Sequence, residues 1–139
     1  MRVTHLLDTN VVSDLFRAAP DDPLPQKVAA LEGRLAIPSP VWHELRHGTE
    51  RLEAGRRRDA LRRFLERVVR PNFPVLAYDH AAAEWHAAQR VELERVGRPT
   101  PFVDGQIASI AHIHDLTLVT ANAKDFAPFT DIRVETWRR

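Results

Sequence analysis

The stretch Val3-Thr4-His5-Leu6-Leu7-Asp8-Thr9-Asn10 decides the fold of this chain. An apolar run ends on an acid, and residue types that cap helices follow at once. Residues 3–7 therefore read as a buried strand, followed by a helix capped by Asn10 and running to about Ala18. The same alternation recurs along the sequence. Apolar runs at 35–37, 75–77 and 116–120 read as further strands, and 132–134 as an edge strand. Between them lie helical patterns. A short helix spans about Pro25–Leu31. Ser39-Pro40 gives a cap plus proline at the first helical position, opening a helix to about Ala54. A basic helix continues beyond Gly55 to Val69, with Leu61, Phe64, Leu65 and Val68 on one face and Pro71 and Pro74 ending it. Asp79 caps a helix that Gly97 stops. Thr100-Pro101 repeats the earlier start signal, and the helix after it buries Val103, Ile107, Ile110 and Ala111. Ala123–Phe126 is a short helical turn.

Strands alternating with helices imply a parallel, doubly wound α/β sheet. Right-handed crossovers bring the ends of the first, second and fourth strands to one crevice at the carboxyl edge. Asp8, Glu44 and Asn122 meet there, and Asp104 enters from its helix. No repeat or long linker divides the 139 residues, so a single domain over 1–139 is expected. That length can bury a proper core.

Composition narrows the class of function. The 44% hydrophobic and 28% charged content is that of a globular domain, not a disordered one. No apolar stretch approaches the ~20 residues that span a bilayer, and no signal-peptide pattern follows Met1-Arg2. The absence of cysteine excludes disulfides, thiolate-bound zinc and thiol catalysis. A cytoplasmic setting fits best.

The net charge of +1 conceals a strong asymmetry. Nine arginines lie between Arg46 and Arg70 against four acids. This arm is either a solvated helix face or a grip for an anionic polymer, since arginine matches phosphate geometry and displaces counterions.

The acids carry the chemistry. Singly, each has an ordinary explanation: Asp8 as a helix cap, Glu44 as a surface residue, Asp104 as a complement to a helix N-terminus. Together they form a cluster in which repulsion must be relieved by protonation or by a cation. Oxygen-only ligands select a hard ion, Mg²⁺ or Mn²⁺, able to support phosphodiester hydrolysis.

A competing motif is His43-Glu44-Leu45-Arg46-His47, which matches the zinc-peptidase pattern of two histidines four apart with a glutamate between. That chemistry needs a third ligand, yet Gly48 comes too early for a third-histidine pattern and Glu66 falls in the basic helix. No Gly-rich phosphate loop or dinucleotide fingerprint is present. An Asp-x-Asp phosphatase would need a carboxylate where Asn10 stands. A phosphoacceptor receiver, with Asp8 in its acidic pocket and Lys124 after a late strand, is the remaining α/β alternative.

Four blocks now make a specific pattern: Leu7-Asp8-Thr9-Asn10-Val11-Val12-Ser13, Trp42-His43-Glu44-Leu45-Arg46-His47-Gly48, Phe102-Val103-Asp104-Gly105-Gln106-Ile107-Ala108, and Leu118-Val119-Thr120-Ala121-Asn122-Ala123-Lys124-Asp125-Phe126. In order and from end to end, they resemble the signature blocks of PIN-domain ribonucleases, in particular the VapC-type toxins of bacterial toxin–antitoxin pairs. The resemblance implies a three-layer α/β/α domain with a central parallel sheet of four to five strands. It implies an acidic quartet in which Asp8, Glu44 and Asp104 carry over directly. The fourth place falls on Asn122, with Asp125 three residues on. Glycine stands at 105 where alanine is more usual. Implied too are Mg²⁺ (or Mn²⁺) held by Asp8 and Asp104, an RNA substrate, a small cognate antitoxin and a homodimer. A PIN-fold module that binds RNA or a partner without cutting is the rival reading.

Overall fold

The computed structural model describes residues 2–137. Five short strands form one parallel sheet: β1 (His5–Leu7), β2 (Leu35–Pro38), β3 (Val75–Leu76), β4 (Thr117–Val119) and β5 (Arg133–Glu135). Their order across the sheet is β3-β2-β1-β4-β5. β1 is central, with His5 opposite both Leu35 and Thr117, and Leu7 opposite Val119. The connections run to opposite sides of β1, which makes the carboxyl end of this strand the switch point where α/β sheets place their ligands.

Helices cover both faces, giving the expected α/β/α layers. They are α1 (Thr9–Phe16), α2 (Leu24–Ala30), α3 (Ser39–Glu50), α4 (Arg56–Phe64), α5 (Arg70–Asn72), α6 (His80–Arg95), α7 (Phe102–Ile113) and α8 (Ala123–Phe126). Because both faces are covered, the central strands are apolar without alternation. Leu6, Leu7, Ala36, Ile37, Leu118 and Val119 are wholly buried. Burial of each large side chain stabilises the fold by about 1.5–3 kcal/mol before entropy is counted.

Several local expectations are corrected. Asn10 does not cap α1. Asp8 does, accepting from the Thr9 N–H, while Asn10 Oδ1 accepts from the N–H of Ala121 at 3.1 Å and ties the loop after β4 to α1. Ser39 does not cap α3 either, because its hydroxyl accepts from the Tyr78 N–H at 3.2 Å, beyond β3. α3 ends at Glu50 instead of near Ala54. Val103 is 36% exposed, whereas Ile107, Ile110 and Ala111 are buried as expected.

The basic helix holds the largest surprise. It does not stop before Pro71. A π-helical turn at Leu65–Val69, in which the Arg70 N–H reaches back to the Leu65 carbonyl, leads into α5 with Pro71 inside it. Proline in a regular helix interior collides with the carbonyl four residues before it. The wider turn relieves that collision. It also advances the buried face by one position, so Val69 is fully buried while Val68, expected in the core, is 39% exposed.

Candidate active site

Asp8 leaves the carboxyl end of β1 as the last ladder group, its N–H donating to the Val119 carbonyl at 2.9 Å. Its side chain is buried, and each carboxylate oxygen is held. Oδ1 accepts from the Thr9 N–H at 2.8 Å, and Oδ2 accepts from the Thr120 hydroxyl at 2.8 Å. The Thr120 oxygen also accepts from the Asn122 N–H at 3.0 Å. On the other side, the Thr9 hydroxyl donates to Glu44 Oε2 at 2.9 Å. One hydrogen-bonded chain therefore runs Asn122–Thr120–Asp8–Thr9–Glu44, joining the segments after β1, within α3 and after β4.

Asp104 stands in the first turn of α7 and is half-buried. Burial, then the charges of Asp125, Asp8 and Glu44, push its carboxyl up to about 6. Asp8 is likewise raised by burial, against the lowering effect of the Thr120 and Thr9 hydrogen bonds, with Glu44 and Asp125 adding repulsion. No Arg or Lys among the described residues forms an ion pair with these acids. The sequence-level trio is thus brought together, and Asp125 joins it as a fourth negative charge. Asn122 enters the network through its backbone.

The donor set fits a hard divalent cation. The acids are oxygen donors whose mutual repulsion is met by no ion pair among the described residues. Among the described residues, no three or more His, Asp or Glu side chains form a metal cage by themselves. An ion that keeps several of its own waters needs none. The zinc motif fares differently. His43 and His47 are exposed and stack on each other, ring centroids 5.9 Å apart, and the glutamate between them is engaged with Thr9. The described residues bring them no third ligand.

Sequence reasoning passed over Thr9 and Thr120, the hydroxyls that orient the carboxylates. Their only signal was position, each being a small hydroxyl residue at the mouth of a central strand.

The PIN domain family profile matches residues 5–130. The chain belongs to the PIN-domain family. Within the family its likeness is to VapC-type proteins. This PIN domain is 32% identical to the tRNA(fMet)-specific endonuclease VapC of Shigella flexneri, over 95% of this chain and 96% of that one. It is 31% identical to toxin FitB of Neisseria gonorrhoeae, over 87% and 89%. Its fold superposes on DNA-bound VapBC from Salmonella typhimurium with a TM-score of 0.83, at 31% identity and covering 98% of this chain and 99% of that one.

Proposed function

We propose that this PIN domain is a Mg²⁺-dependent endoribonuclease, the toxic member of a toxin–antitoxin pair. The observation that carries the reading is the uncompensated acidic cluster around Asp8 at the switch point of the sheet. Mg²⁺, or Mn²⁺ in its place, supplies a Lewis acid that lowers the pKa of bound water and neutralises charge on the phosphoryl group. Asp8 and Asp104 would hold that ion. Glu44, fixed by the Thr9 hydroxyl, orients the attacking water or takes its proton. Asn122 offers a neutral amide oxygen and Asp125 a further carboxylate at the outer edge. The substrate is RNA in exposed single-stranded loops, where bases are free to splay. A small antitoxin silences the site, the working unit is a homodimer, and the protein acts in the cytoplasm. No helix of the described residues is long and apolar enough to cross a membrane.

The test is incubation of the purified protein with structured RNA in Mg²⁺, Mn²⁺, Zn²⁺ or EDTA. Cleavage in the first two and none in EDTA supports the reading. Tight RNA binding without products under every condition would assign the non-cutting PIN module instead. Peptide hydrolysis restored by zinc alone would assign the metallopeptidase.

A further inference from the structure

The structure sorts the arginines that the sequence merely counts. Arg46 reaches Glu66 at 3.0 Å and Glu50 at 3.7 Å, Arg62 holds Glu50 through Nε at 3.0 Å, and Arg70 holds Glu66 at 3.1 Å. Glu50 and Glu66 therefore occupy three of the nine cations, Arg46 and Arg62 in cross-links between α3 and the basic helix and Arg70 within the basic segment itself. Arg58 is half-buried and donates to the Leu52 carbonyl at 3.2 Å. These four shape the protein.

Arg51 and Arg57 are of another kind. Both are exposed, and neither forms an ion pair among the described residues. Both line one open groove of about 310 Å³ between α1, α3 and α4, whose wall at one point is Thr9 and Glu44. Arg17 lines it too, already paired with Asp14 at 3.1 Å. Phe16, Leu61 and Phe64 give the groove an apolar lining. A channel that touches the proposed water-positioning glutamate, carries unspent guanidinium groups and has an apolar lining matches a polyanion with flat apolar bases. Guanidinium forks bind phosphate oxygens in pairs. An electrically neutral peptide would leave those charges unanswered.

We infer that this groove carries the RNA strand on one side of the scissile phosphodiester, with Arg51 and Arg57 on its backbone phosphates. The inference rests on the ribonuclease reading and goes further, because it selects two of nine arginines and one of several surface depressions. Arg63 and Arg67 provide the internal control. They lie on the same basic segment, are exposed and form no ion pair among the described residues, but they do not line the groove.

The experiment compares Arg51→Gln/Arg57→Gln with Arg63→Gln/Arg67→Gln in the full chain. Binding of a fluorescent single-stranded RNA is followed by anisotropy in EDTA across a series of NaCl concentrations. Cleavage of structured RNA by the wild type in Mg²⁺ is measured alongside. Loss of two phosphate contacts on single-stranded RNA flattens the slope of log K against log salt by about 1.4. That change is expected in the groove pair and not in the control, with circular dichroism unchanged in both. Equal flattening in the two variants would reveal a diffuse charge effect and overturn the inference. An unchanged slope in the groove pair, while the wild type still cleaves RNA, would overturn it and leave the ribonuclease reading standing. Loss of antitoxin affinity with an unchanged RNA slope would give the groove to a protein partner. A wild type that neither binds nor cleaves RNA would remove the reading and the inference together.

Discussion

The Thr120 hydroxyl donates to Asp8 Oδ2 at 2.8 Å across 112 positions of sequence, and so joins the ends of two central strands at one carboxylate. Such a bond to a charged group is worth about 1.5–3 kcal/mol. Thr120→Val should lower the cleavage rate by roughly tenfold or more, since ~1.4 kcal/mol is a factor of ten. The hydroxyl lowers the Asp8 pKa, so its loss raises that pKa further and moves the acid limb of the rate profile to higher pH. Thr120→Ser should keep both close to wild type. A pH–rate series on the two variants checks this, and a profile unmoved in Thr120→Val would make the hydroxyl merely structural.

Asp8→Asn and Asp104→Asn should each abolish RNA cleavage and relieve growth arrest on overexpression, with the fold retained. His43→Ala and His47→Ala should cleave normally, as exposed rings that meet only each other in the described contacts. Histidine variants that are folded but inactive would return the metal to the helix of α3.

Asp104 also sets a pH dependence in the metal-free protein. Its folded value of about 6 lies above the ordinary 3.8, so between those values the folded state binds more protons than the unfolded chain. Its contribution to stability therefore falls as pH rises from about 4 to 6. Asp8, also raised, acts in the same direction. Thermal melts in EDTA should show a smaller loss across that window in Asp104→Asn than in wild type. Added Mn²⁺ should raise the wild-type melting temperature most above pH 6. Parallel melting curves for the two proteins would contradict the raised value.

His86 is buried under the first turn of α7, its Nδ1 2.8 Å from the Tyr78 hydroxyl. A Cβ at position 105 would overlap its ring. Gly105→Ala should therefore destabilise the protein by about 1–3 kcal/mol, the usual cost of overpacking, and lower cleavage by displacing the turn that bears Asp104. His86→Ala/Gly105→Ala should recover part of both losses. Additive losses in the double variant, measured by urea unfolding and initial rates, would mean that the two positions do not meet.

Val68→Ala and Val69→Ala should differ sharply. The first should change stability by less than about 0.5 kcal/mol, as for surface sites, and the second should cost about 1–3 kcal/mol in cavity and lost burial. Comparable losses would place both valines in the core and remove the π-helical turn.

That pair also marks where the sequence ceased to be legible. The hydrophobic period locates a helix face only while the helix has one pitch, and the turn before Pro71 changes it. The strands were legible because parallel strands covered on both faces must be apolar throughout, and Asp8 was conspicuous as the acid that ends one. Asp79 and Gly97 acted as local signals suggest, with Asp79 accepting from the Ala82 N–H at 3.0 Å and Gly97 taking a positive φ of 73°. Asn10 and Ser39 did not, because each is used across the fold by a distant backbone N–H. The same blindness hid Thr9 and Thr120, whose bonds depend on which strands become neighbours. It also put the fourth place on Asn122 with Asp125 only three residues on, whereas Asp125 is the one whose charge acts on Asp104, an effect set by the loop after β4.

The central pairing of β1 with β4 bears on how such a chain is made. Asp8 is made early, but the partner strand lies far downstream and Thr120 follows Asp8 by 112 positions. Until then β1 lacks one neighbour and the Asp8 carboxylate lacks one of its two hydrogen bonds. The surroundings of Asp8 are therefore complete only once β4 and Thr120 have been made, so a chain truncated before β4 should fold poorly and lack the acidic site.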